Sequence, residues 1–152
     1  MIYDLRTQEL PSLYQSERPV GLAVIHCAAT LPGQHTTVAD IDRWHRLRGF
    51  DGIGYHFYIT RDGLIHTGRP LERIGAHARG FNAVSVGICY EGGLDASAMP
   101  CDTRSIEQKA ALVALLIRLK RDYPLMDIVG HRDLDPHKAC PCFDAMSEYA
   151  GV

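Results

Sequence analysis

At 152 residues, with 46% hydrophobic and 22% charged side chains, the chain can bury a real core and has the composition of one ordinary folded domain, 1–152. A net charge of −2 excludes the basic character that nucleic acid or an anionic membrane would require of a partner. The longest apolar run, Ala110 to Ile117, is far too short to span a bilayer, and Asp4, Arg6 and Glu9 break up Met1 to Leu10, so neither a membrane span nor a secretory leader is expected.

Residues 1 to 19, with Pro11 and Pro19, read as an extended arm or irregular strand. Val20 to Cys27 is a nearly continuous apolar run, the pattern of a strand buried on both faces, and His26 sits at its carboxyl end. A turn-rich loop follows. Thr37 then has the position of an N-cap, with Asp40 in the first turn. Val38, Ile41 and Trp44 or His45 keep helical spacing, and Gly49 supplies a stop. Trp44 is read as core.

Gly54 to Thr60 reads as a strand, Arg61-Asp62-Gly63 as a tight turn, and Leu64 to Thr67 as the second arm of a hairpin. Alternation puts Tyr55, Phe57 and Ile59 on one face, with His56 and Tyr58 on the other. Gly68 to Asn82 is a long loop that carries His77. Val84 to Tyr90 is another strand. Ser105 and Gln108 form a capping box for a long helix that Pro124 stops, with Ala110, Val113, Ala114 and Ile117 taken as its core face. Asp127 to Gly130 is the last strand, and His131 follows at once. Strands alternating with helices, but with a hairpin between them, predict an α/β (mixed α+β) domain whose central mixed sheet is flanked by helices.

The odd cysteine count, five, argues against a disulfide scaffold and for a reduced chain with a thiol available for metal. The richest stretch is Val129 to Asp144, V-G-H-R-D-L-D-P-H-K-A-C-P-C-F-D. Imidazole and thiolate are the donors that zinc prefers. His26 and His131 both end buried strands, and in open α/β sheets ligands bind outside the carboxyl ends of strands. If the two strands are parallel neighbours, the histidines converge, and Cys140 on the next loop completes a His-His-Cys set with a fourth position left for water. The competing interpretation is a pair of half-buried strand-end histidines and an inert loop thiol.

Five segments in order, V-I-H-C-A-A-T, G-Y-H-F-Y-I-T-R-D-G, G-A-H-A-R-G-F-N, V-G-H-R-D-L and K-A-C-P-C-F-D, resemble the phage-lysozyme type of zinc N-acetylmuramoyl-L-alanine amidase, within the type-2 amidase and peptidoglycan recognition protein superfamily. The resemblance runs from about Val20 to Asp144. It implies one Zn2+ per chain on His26, His131 and Cys140, catalytic roles for Tyr55 and Lys138, and contact of His77 with glycan or peptide. The implied fold is a mixed sheet flanked by helices with zinc at the base of a groove. The implied reaction is hydrolysis of the amide between N-acetylmuramic acid and L-alanine in peptidoglycan, by a cell-wall lytic enzyme of phage or prophage type, made in the cytoplasm and acting on the wall after release.

Glu91, just past a strand, is not assigned as a base. Cys142 and His137 are alternative donors near Cys140, and His45, His56 and Asp133 are read as supporting or structural. Rival functions are a non-catalytic muropeptide-binding module, which Cys140 argues against, and cytoplasmic recycling of muropeptide fragments. A phage RNA polymerase is a further partner that the resemblance raises, with the sequence before Val20 as the place to look.

Overall fold

The structure, a computed structural model, describes residues 1–4, 8–9 and 18–152; most of the expected N-terminal arm therefore lies outside the described residues. The elements, in chain order, are β1 (Ile2–Tyr3), β2 (Leu22–Cys27), α1 (Val38–Leu47), β3 (Phe57–Ile59), β4 (Ile65–Thr67), β5 (Ser85–Tyr90), α2 (Ile106–Asp122), β6 (Asp127–Gly130), α3 (His131–Leu134) and α4 (Ala145–Glu148). The six strands form one sheet in the order β1-β4-β3-β5-β2-β6. β2 runs parallel to both β5 and β6, β3 runs parallel to β5, and β4 is antiparallel to β3 and β1. The expected mixed sheet with helices is what the chain forms.

β2 lies inside this sheet, which accounts for its unbroken apolar run: Ala23, Val24 and Ile25 are fully buried. On one face Ile25, Phe57, Ile59, Ile88 and Tyr90 pack with α2. On the other face Tyr58 and Cys89 pack with Ile41 of α1, and Trp44 covers them partly.

Both long helices begin as their sequences specify. Thr37 Oγ1 accepts from the Asp40 backbone at 3.2 Å while Asp40 bonds back to the Thr37 backbone at 3.0 Å. Ser105 and Gln108 make the same reciprocal pair, and α2 ends at Asp122, two residues before Pro124. The buried face of α2 differs from expectation. Ala111, Leu112, Leu115, Leu116 and Leu119 are in the core, whereas Val113 and Ile117 are about two-fifths exposed. Apolar residues occur on both sides of this helix. The side with the continuous leucine ladder removes more apolar surface from water, at about 25 cal/mol per Å², and it is the side that faces the sheet.

The strand expected over Gly54–Thr60 is regular only at Phe57–Ile59. Before it the backbone changes partners residue by residue. Ala76 N donates to Gly54 O (3.1 Å), Arg69 N donates to Tyr55 O (2.8 Å), and His56 N donates to Gly87 O (2.9 Å). Gly54 leaves no room for a side chain there, since a Cβ would stand 2.0 Å from Ala76 O. This irregular lead-in breaks the alternation. Tyr55 does not share a face with Phe57 and Ile59; it turns to the α1 side and packs with Ile41, Ile53, Tyr58 and Cys89. Val84 likewise ends a short 3-10 turn, Asn82–Val84, and is not the first residue of β5.

Candidate metal centre

The site begins with a register. β2 and β6 pair in parallel with Ile25 opposite Gly130, so the next residues of the two strands, His26 and His131, emerge side by side. Their rings lie 4.6 Å apart between centroids. Parallel neighbours were the condition for convergence, and β6 meets it.

The third donor arrives on the loop after α3. Arg132 N donates to Cys140 O at 2.8 Å, which ties that loop to the His131 segment. Tyr90 Oη donates to Pro141 O at 2.6 Å and anchors it to β5 from below. Pro141 in turn lies against Gly130, where a Cβ would stand 2.6 Å from the proline Cδ. So placed, Cys140 Sγ accepts a hydrogen bond from Cys27 N at 3.2 Å and lies 3.8 Å from His26 Nδ1.

Donor atoms of His26, His131 and Cys140 all fall within 4.8 Å of one another. A tetrahedral ion with Zn–N of about 2.0 Å and Zn–S of about 2.3 Å separates N and S by roughly 3.5 Å. The 3.8 Å between His26 Nδ1 and Cys140 Sγ is near that spacing, two imidazoles and one thiol are a donor set that suits zinc, and the Cys27 amide would supply a donor to a thiolate bound there. Burial first, then the neighbouring His77 and His131, hold His26 well below the usual histidine pKa. Burial and the Lys138 charge lower His131. Both shifts favour the neutral ring, the form in which an imidazole can bind metal.

Around these donors opens a cleft of about 780 Å³, and all six residues expected to form the site, His26, Tyr55, His77, His131, Lys138 and Cys140, line it. The Tyr55 ring lies 5.0 Å from that of His26 and 5.3 Å from that of His45. Burial, together with the nearby Cys89 and Cys140, raises the Tyr55 pKa well above that of a free phenol, so Tyr55 is a proton donor in a hydrogen bond at neutral pH. His45 is held from outside the cleft: its Nδ1 accepts from Gly54 N at 2.8 Å. Lys138 is exposed on the rim. His77 has its Nδ1 2.9 Å from His26 Nε2.

The residues left open in the sequence now have places. Glu91 is buried with both carboxylate oxygens accepting backbone amides, from Thr36 at 2.8 Å and Arg61 at 2.9 Å, which makes it a joint between two loops. Cys142 Sγ faces Cys27 Sγ at 3.7 Å and Gly93 O at 3.3 Å, away from the donor set. Asp133 accepts from Gly130 N at 2.6 Å, His56 Nδ1 accepts from Gly87 N at 3.0 Å, and His137 is exposed. Arg48, Arg79 and Asn82 also line the cleft and were not singled out from sequence, although Arg79 and Asn82 stand inside the G-A-H-A-R-G-F-N segment.

Comparison with known proteins gives the family of the chain. The chain is 41% identical over 120 residues to the endolysin of Enterobacteria phage K11, which covers 79% of each chain. The amidase LysC from Clostridium intestinale has a similar fold, with a TM-score of 0.74 at 34% identity over 87% of this chain and 82% of that one. Drosophila peptidoglycan recognition protein LB superposes with a TM-score of 0.71 at 28% identity, over 90% and 82% of the two chains. The sequence profile of the N-acetylmuramoyl-L-alanine amidases matches residues 16–143, most of the chain, and the protein belongs to that family.

Proposed function

We propose that this protein is a zinc-dependent N-acetylmuramoyl-L-alanine amidase of the lytic, endolysin type, with His26, His131 and Cys140 as the metal ligands. The observation that carries the reading is the convergence of those three donors at the floor of an open cleft in a chain of this family. Zinc held there supplies Lewis acidity, polarising a carbonyl oxygen and acidifying water. The chain's own residues do the rest. Attack on the muramoyl–alanine amide puts negative charge on its carbonyl oxygen. The Lys138 ammonium, on the rim of the cleft near His131, attracts that charge. Tyr55, kept as a phenol by burial, donates a hydrogen bond to the same oxygen or holds the attacking water. His45, which also lines the cleft, packs against the tyrosine ring. The open shape of the cleft suits a polymeric glycan with its stem peptides.

The test is metal analysis of the purified protein together with mass spectrometry of digested peptidoglycan. The expected result is about one zinc per chain and stem peptides released with a free N-terminal alanine. Glycan fragments cut between sugars, or peptides cut at another bond, would refute the assignment.

A further inference from the structure

We propose that His77 is a positioning residue of the metal centre: its Nδ1 accepts the Nε2–H of His26 and so fixes which nitrogen of His26 faces the ion. The inference rests on the reading of His26, His131 and Cys140 as ligands, and it gives His77 a task different from substrate contact.

The argument is one of atoms. His26 has two ring nitrogens. Nδ1 looks toward Cys140 Sγ at 3.8 Å, near the separation of two ligands on one zinc. Nε2 looks the other way, to His77 Nδ1 at 2.9 Å. A neutral imidazole carries one proton and one lone pair. If the lone pair on Nδ1 is given to the metal, the proton sits on Nε2 and points at His77. His77 then receives it on the bare Nδ1, and its own proton lies on Nε2, 3.3 Å from the Ser85 hydroxyl oxygen. The two hydrogen bonds run in one direction, away from the ion. Such outer partners orient ligating histidines and raise their basicity.

His77 is built to stay where it is. Its backbone N–H and that of Ala78 both donate to Asn82 Oδ1, at 2.8 and 2.9 Å. Its ring fits a slot made by two glycines: a Cβ on Gly75 would stand 2.5 Å from the ring, and one on Gly87 would stand 2.6 Å from it. Neither glycine has a positive φ, so space for the ring, and not backbone freedom, is what they provide. The ring meets that of His26 nearly edge-on, at 88° and 5.0 Å.

The test compares His77→Phe, which fills the slot without an acceptor, with His77→Asn, whose Oδ1 stands where Nδ1 stood. Zinc affinity is measured by competition with a chromophoric chelator, and the cobalt-substituted proteins are compared by their visible spectra. His77→Phe should bind zinc about 10- to 100-fold more weakly, with an altered cobalt spectrum, and His77→Asn should recover most of the loss. Nitrogen-15 NMR of the wild-type zinc protein should show His26 metallated at Nδ1 and His77 protonated at Nε2. Unchanged zinc affinity in His77→Phe, with only the Michaelis constant raised, would overturn the proposal and return His77 to substrate contact. Metallation of His26 at Nε2 would overturn it even if neither variant folds. If His26→Ala keeps full zinc affinity, the ligand set itself is wrong and the proposal falls with it.

Discussion

Gly130→Ala tests how firmly the protein holds the proposed metal donors. Gly130 has φ −86° and ψ 159°, a conformation open to alanine, so backbone strain plays no part. The new methyl would stand 2.6 Å from Pro141 Cδ and 3.1 Å from its Cγ. Carbon atoms prefer roughly 3.5–4.0 Å, so the two segments must part by about 1 Å. β6 is held to β2 by its ladder, which leaves the Cys140–Pro141 loop to move. Metal ligands tolerate displacements of about 0.2 Å. A misplacement of about 1 Å typically costs on the order of 100-fold in rate, and overpacking of this kind costs about 1–3 kcal/mol of stability. Zinc affinity and turnover on purified sacculus should therefore both fall, the latter by about two orders of magnitude. Gly21→Ala, where a Cβ meets nothing within 4 Å, is the control and should change neither. Gly130→Ala with wild-type zinc affinity and turnover would show that Pro141 does not set the position of Cys140, and the reasoning would fail.

Other consequences are equally direct. Cys140→Ser should lose most bound metal while Cys142→Ser keeps it, because the Cys142 thiol faces Cys27 and Gly93; metal analysis of the two variants decides between them. Lys138→Ala should lower the catalytic rate by about 100- to 1000-fold, as for loss of one donor to a developing oxyanion, with a smaller effect on pull-down of sacculus. Tyr55→Phe keeps the ring and should retain fold and zinc while losing turnover; near-normal turnover with full zinc would make the hydroxyl a bystander. Burial pushes His56 down to about 4, so the folded state keeps it neutral where the unfolded chain, near 6.5, takes up a proton. That stabilisation is complete above about pH 6.5 and is lost as pH falls toward 4. The melting temperature of chelator-treated protein should drop across this window, and a flat profile would contradict the buried neutral histidine.

The parts of the site that sequence made legible are those carried by local pattern. An apolar run with histidine at its end announces a strand and a ring near its exit, and both His26 and His131 stand there; β2 is buried as that pattern implies, whereas β6 is an edge strand with Asp127 exposed. The capping boxes at Thr37 and Ser105 are equally local, and both helices start there. What sequence leaves open is set by partners far along the chain. Which strand β2 pairs with, and in what register, decides whether the two histidines meet. The face of α2 could not be chosen by spacing because apolar residues lie on both sides, and only the sheet selects the leucine ladder. Strict alternation puts Tyr55 on the wrong side, because it cannot hold through a segment whose hydrogen bonds go to three different neighbours. The bond between His26 and His77 spans 51 positions of sequence and has no local signature.

The position of β6 has a consequence for how the protein comes into being. Among the described residues it is an edge strand, joined to the sheet only through β2, a partner about a hundred positions earlier in the sequence. Pairings between such distant segments form late, after the entropy of closing the intervening loop has been overcome. During synthesis β2, β3, β4 and β5 all leave the ribosome before β6 and the loop that brings Cys140. A partly made chain that stops short of β6 therefore holds His26 with neither of the other proposed donors, and metal uptake by that set must wait for β6 to dock on β2. Zinc uptake during refolding should accordingly track the docking of β6 on β2 and lag behind formation of the strands that precede it, so that the ion reports on that one pairing.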